Sequence, residues 1–131
     1  MKKAENKSYY FDDELYERKY HFAVGSNKYI DSILKKYGVD HDSSAADGLM
    51  WESNGPVNGQ RFVVLWCQKY DIVTLQHEIQ HAVLACMDSV GINGGKDNGE
   101  PYCYYYSWIF KKIMQKTGYK KWKFYDVKKG S

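Results

Sequence analysis

Apolar and polar residues follow two different periods along this chain, and the changes of period divide it into elements. Alternation of apolar with polar side chains predicts strands, whereas apolar residues three and four apart predict helices. After an aromatic and acidic lead-in at 9–15, the pattern predicts strands at 16–24, 48–52, 60–68 and 119–125, and helices at 27–37, at 72–90 and from about 100 onward. This order is typical of an α+β domain with a small, mostly antiparallel sheet packed on helices.

Local residue choices indicate where the helices begin and which way the strand residues point. Ser26 and Asp71 are typical caps for the first two helices. In the first strand His21 falls between the inward apolar positions, so we expect it on the other face as a surface side chain. In the late strand we expect Trp122 and Phe124 to point inward.

The helix at 72–90 carries the pattern His77-Glu78-x-x-His81, which has a demanding chemical explanation. Side chains four apart on an α-helix emerge from one face, one turn apart, so His77 and His81 can close on a single metal ion. Glu78 lies to the side, where it could accept a proton from a water molecule at such a metal. The pattern therefore predicts a metal site of a hydrolytic kind.

A catalytic zinc site usually has three protein ligands, so one more must be found. Asp88 lies near the same helix face, but seven residues place it about 10 Å beyond the second histidine along the axis, which is too far for a metal bond. We expect the ligand to come from the next helix, where Glu100 falls at the helix start. Asp97 is the runner-up, although it is better suited to capping that helix, and Cys103 is a weaker rival. Two imidazoles and a carboxylate suit zinc better than magnesium or calcium.

Composition favours a single globular domain and offers no sign of secretion. The chain has 131 residues, of which 44% are hydrophobic and 17% aromatic, enough to bury a core without internal crosslinks. The three cysteines are odd in number and lack a paired spacing, so we expect no disulfide framework. Without a long apolar run or a signal-peptide pattern, we expect a cytoplasmic protein and no membrane partner.

Positive charge is concentrated in the last 21 residues. The formal net charge is +3, yet residues 111–131 carry eight lysines against Asp126 alone. The mixture of lysines and aromatic residues at 119–125 could bind nucleic acid, but alternation in a solvated strand explains it more simply. We therefore do not expect nucleic acid to be a partner.

These residues resemble a known family. An HExxH motif followed 19 positions after its second histidine by a helix-borne glutamate resembles the gluzincin branch of zinc metallopeptidases. More narrowly, residues 75–81 with the spaced residues Asp97, Glu100, Tyr104 and Trp108 are similar to small phage and prophage proteins regarded as minimal zincins. The resemblance implies a zincin-like fold, a zinc ion bound by His77, His81 and Glu100, and Glu78 as the catalytic base.

One position departs from the family pattern. Gluzincins of the thermolysin type carry an aspartate four residues after the ligand glutamate, and this chain has Tyr104 there. We predict that Tyr104 points into the cleft as a catalytic residue, where its hydroxyl donates to the developing oxyanion or to a ligand carboxylate. The alternative is a tyrosine packed in the core.

The sequence thus predicts one zincin-like metallopeptidase domain over 1–131 that cleaves peptide or protein substrates with water activated at Zn²⁺, in the host cytoplasm if a phage encodes it. An alternative keeps the zinc but makes the domain a non-catalytic protein-interaction module. Glu78 argues against that alternative, because a structural zinc needs no base beside its first histidine. A third possibility is a metal-free host-interaction protein in which the motif is accidental. The substrate and the oligomeric state stay open.

Overall fold

A four-stranded sheet with helices on both faces organises the structure, a computed structural model that describes residues 5–55, 59–92 and 99–125. The strands are β1 Lys7–Asp13, β2 Arg18–Val24, β3 Gly48–Glu52 and β4 Arg61–Cys67, and the helices are α1 Asn27–Lys36, α2 Ile72–Ser89 and α3 Gly99–Thr117. The spatial order of the strands in the sheet is β1-β2-β4-β3. The two outer pairings are antiparallel and the central pairing of β2 with β4 is parallel. The architecture is therefore a mixed α+β fold, and the sheet is mostly antiparallel as the sequence predicts.

Alternate side chains of the strands point to opposite faces of the sheet and contribute to two separate cores. On one face, Val64 and Trp66 of β4 pack with Ile30 and Leu34 of α1. On the other face, a larger cluster joins the opposite strand residues to α2 and α3. Because β2 and β4 are central strands covered on both faces, nearly all their residues are buried.

The predicted caps and helix bounds are confirmed for α1 and α2. The Ser26 side chain accepts a hydrogen bond from the Tyr29 amide, and the Asp71 carboxylate accepts one from the Val73 amide. The glycine at 91, with a positive φ of 78°, follows the end of α2. No helix in the described ranges is both long and apolar enough to span a membrane.

The N-terminal lead-in is a strand, which changes the surroundings of His21. β1 pairs with β2 along its whole length, because its aromatic residues add to the large core beside α3. The expectation of a surface histidine is wrong: His21 is 7% exposed, since α1 covers its face of the sheet. Its ring nitrogens lie 2.7 Å from Ser8 Oγ and 3.1 Å from Tyr37 Oη.

The predicted late strand is wrong. A 3-10 turn occupies Tyr119–Lys121, and beyond it Lys123 forms only an isolated bridge with Asp71. Trp122 is buried as expected, because its indole N–H donates to Thr117 Oγ1 at 2.8 Å, but Phe124 is 71% exposed. The chain after α3 therefore returns to the start of α2 instead of joining the sheet.

Candidate metal centre

The two histidines of the motif meet on the exposed side of α2. Their Nε2 atoms lie 3.1 Å apart, and the rings meet edge to face with centroids 4.7 Å apart. Both side chains are exposed. Helical spacing brings the two residues together, and the Asp71 cap together with the buried apolar face of α2 fixes the helix that carries them.

The spacing of these nitrogens fits one zinc ion. With Zn–N bonds of about 2.0–2.1 Å, two nitrogens 3.1 Å apart subtend an angle of roughly 100° at the metal, close to a tetrahedral angle. The exposed position also leaves room for further ligands. His77 and His81 are therefore suitable as a pair of zinc ligands.

Glu78 is buried beside this pair, against the edge of the sheet. Its side chain is on the α2 surface that faces β3, and only 6% of the residue is exposed. Burial raises the pKa of its carboxyl group, while the neighbouring His77 and His81 act to lower that pKa. A buried carboxyl next to two imidazoles is the environment expected for a general base.

Gly48 allows β3 to approach Glu78 closely. A Cβ added at Gly48 would lie 2.6 Å from Thr74 Cγ2 and 2.8 Å from Glu78 Oε2. Any larger residue would therefore displace either the helix or the carboxylate. The role of this glycine was not predictable, because nothing in the local pattern of 48–52 shows that a helix lies against it.

The outer edge of β3 carries main-chain groups that do not bond to β4. Two backbone hydrogen bonds at the ends of the β3–β4 pair show which main-chain groups of β3 point to β4: the Ser53 amide donates to the Phe62 carbonyl, and the Gln68 amide donates to the Asp47 carbonyl. In an antiparallel pair, every second residue bonds to the partner strand. By this alternation the N–H and C=O groups of Gly48, Met50 and Glu52 point away from β4. No strand in the described part of the chain pairs with this edge.

In the part of the chain that the structure describes, no third ligand is assembled beside the histidines. Within the described ranges, no group of three histidine, cysteine, aspartate or glutamate side chains comes together to hold a metal. Glu100 is exposed in the first turn of α3, and Cys103 is exposed one turn later. The runner-up Asp97 lies outside the described residues.

Tyr104 lies on the side of α3 that faces the β1–β2 turn. It is 72% exposed and lines a pocket of about 730 Å³ together with Asp12, Tyr16 and Trp108. No residue of α2 lines this pocket. The structure therefore does not bring Tyr104 together with the His77 and His81 pair.

A second concave surface lies between α2 and α3, next to the histidines. This groove of about 510 Å³ is lined by Gln80 and Leu84 of α2 and by Tyr102 and Tyr106 of α3. Leu84, three residues after His81, is 54% exposed there. One signal in the sequence could have indicated this groove: Leu84 is an apolar residue on the helix face that carries His77 and His81.

Comparisons of the chain with protein-family models, with curated proteins and with solved structures give no match.

Proposed function

We propose that this chain is a zinc-dependent hydrolase, and specifically a metallopeptidase with a zincin-like arrangement. One observation carries the proposal: His77 and His81 present two nitrogens 3.1 Å apart beside Glu78, which is buried against the sheet edge with which no described strand pairs. A metal-binding pair, a proton acceptor and a docking edge for an extended peptide are the parts that amide hydrolysis requires.

Each part of the site has a separate task in this proposal. Zinc, when bound, supplies Lewis-acid activation of the carbonyl and of water. Glu78 accepts the proton of the attacking water and passes it to the amine that leaves. The outward main-chain groups of Gly48, Met50 and Glu52 hold the peptide in an extended conformation by adding it to the sheet. The α2–α3 groove receives an apolar side chain of the substrate.

The ligand set can be tested by metal analysis. We propose His77, His81 and Glu100 as the ligands, with about one zinc per chain. His77→Ala, His81→Ala and Glu100→Ala should each weaken zinc binding strongly, whereas Asp97→Ala should not. Competition with a chromogenic chelator measures the affinity. Release of zinc by Asp97→Ala, with full binding by Glu100→Ala, would replace Glu100 by Asp97 as third ligand.

Glu78→Gln tests the enzyme directly. Glutamine keeps the size and the hydrogen bonding of the side chain but cannot accept the proton, so zinc content and fold should persist. Hydrolysis should fall by roughly 10²–10⁴-fold, the usual contribution of general-base catalysis. Glu14→Gln, the same change at an exposed position in the β1–β2 turn, is the matched control. The assay is mass spectrometry of new peptide termini in a peptide mixture and in a bacterial proteome.

The second candidate function is a zinc-holding interaction module without turnover. The observation that favours it is that no third ligand joins the histidines within the described ranges. Equal hydrolysis by wild type and Glu78→Gln would exclude the proposed mechanism. Zinc-loaded wild type that cleaves nothing across broad substrates would support the interaction module.

A further inference from the structure

Lysines and exposed aromatic rings form one surface at the end of the domain where α2 begins. We define the lysine–aromatic patch as Lys69, Tyr119, Lys121, Lys123, Phe124 and Tyr125. Tyr119 and Phe124 are each 71% exposed and Tyr125 is 42% exposed. All three lysines are exposed as well, and so is the neighbouring Lys120.

Packing beneath the patch fixes its shape. Trp122 is buried and meets the Tyr70 ring edge to face at 5.1 Å. Backbone hydrogen bonds from Lys123 to Tyr70, and from Ile72 to Lys123, hold the segment against the start of α2. The exposed rings are therefore presented by an anchored segment, which reduces the entropy lost when a ligand binds.

The positive charge of the patch is not neutralised by an ion pair within the described ranges. Residues 111–125 include six lysines and no aspartate or glutamate. None of the patch lysines forms an ion pair with a described residue. Instead the ammonium groups of Lys69 and Lys121 lie over the rings of Tyr125 and Tyr70, at 5.1 and 5.7 Å. Such unpaired positive charge is complementary to a polyanion.

The exposed rings of Tyr119 and Phe124 indicate which kind of polyanion suits the patch. Tyr119 and Phe124 stack on no other aromatic ring of the described chain, so their faces are free. A membrane surface would favour exposed tryptophan and aliphatic side chains, but the tryptophan of this segment is buried and the exposed residues are tyrosine, phenylalanine and lysine. Free ring faces between cations are suited to unstacked bases joined by phosphates.

We propose that the lysine–aromatic patch binds single-stranded nucleic acid, with bases stacked on Phe124 and Tyr119 and phosphates paired with the lysines. The expectation of no nucleic-acid partner depended on a strand at 119–125 with Phe124 turned inward, and that strand is absent. The patch includes none of the proposed zinc-site residues, so it is independent of the peptidase proposal.

Fluorescence anisotropy with a labelled 20-nucleotide oligothymidine tests the proposal on the full chain. Phe124→Ala and Tyr119→Ala should each weaken binding by at least about 5-fold, the loss of one stacked base. Tyr10→Ala is the matched control, because Tyr10 is 61% exposed on β1 and lies outside the patch. All three substitutions are at exposed positions, and circular dichroism checks the fold.

Salt dependence tests the phosphate contacts separately. Three or four lysine contacts should give a slope of about −2 to −3 in a plot of log affinity against log salt, since each contact with a single strand contributes about −0.7. Lys121→Gln should make the slope shallower by about 0.7, and Lys36→Gln on α1 should not change it. Equal binding by wild type and Phe124→Ala, equal affinity for duplex, or binding to phosphatidylserine vesicles without binding to the oligonucleotide would each overturn the proposal.

Discussion

Acid should destabilise this fold through His21. The ring is 7% exposed, and both of its nitrogens contact hydroxyl groups, those of Ser8 and Tyr37. Burial, with a smaller effect from the charge of Lys36, lowers the pKa of His21 from 6.5 to about 4. The folded protein therefore keeps this ring neutral at a pH where the unfolded chain binds a proton.

The sign and size of the effect follow from those two pKa values. Well above pH 6.5 neither state is protonated at His21, and the fold is not penalised. Between pH 6.5 and about 4 the unfolded state binds a proton that the folded state does not bind, so the free energy of unfolding decreases as the pH is lowered. At about 1.4 kcal/mol per pKa unit, the loss approaches roughly 3 kcal/mol near pH 4. That loss is a large part of the 5–15 kcal/mol typical of a domain.

Urea denaturation between pH 4 and pH 7.5, with chelator present, measures this loss. His21→Gln removes the titrating group but keeps hydrogen-bonding capacity, so its free energy of unfolding should change less over this range than that of wild type. The other three histidines are exposed and common to both proteins, as is Glu78, so their contributions cancel. Parallel pH profiles for the two proteins, or a pKa near 6.5 for His21 by NMR, would refute the reasoning.

Two further predictions concern β3. Gly48→Ala should reduce any hydrolysis by about 10²-fold with zinc content retained, because the new methyl group would lie 2.8 Å from Glu78 Oε2 and a shift of that carboxylate is costly. Gly55→Ala, with open space around it, should change nothing. Full activity of Gly48→Ala would count against the proposed role of Glu78. Glu52→Ala should destabilise the protein by about 3 kcal/mol in urea denaturation, because it leaves the buried Arg18 guanidinium without its carboxylate at 2.6 Å. Arg18→Met should cost less, since Glu52 is 25% exposed and water can solvate it, and the reverse ranking would contradict this account.

Local patterns predicted the elements whose stability depends on nearby residues. The spacing of His77 and His81 sufficed to place both rings on one helix face, because helical geometry is the same in every protein. The short strand at 48–52 and the Ser26 cap were likewise predictable. The structure of segment 119–125 was not predictable from its alternation. Only Trp122 of this segment is buried, against Thr117 of α3 and Tyr70, and that tertiary contact has no local signature in the sequence.

The site was predictable in its helical part and less so in its surroundings. No spacing rule shows that β3 lies against Glu78, since that contact depends on the sheet order β1-β2-β4-β3. The position of Tyr104 illustrates the same limit. Sequence spacing places it one turn after Glu100, but the angle at which α3 packs on the sheet decides which pocket it lines.

The outer edge of β3, with which no described strand pairs, also affects how the protein behaves at high concentration. An edge that can accept an extended peptide can equally accept β3 of another copy, and such pairing is a common start of aggregation. Here the edge is only five residues long and ends in Glu52, so two copies could form few hydrogen bonds and their carboxylates would approach each other in a parallel pairing. Self-association through β3 should therefore be weak and reversible, and a peptide bound to the same edge should suppress it.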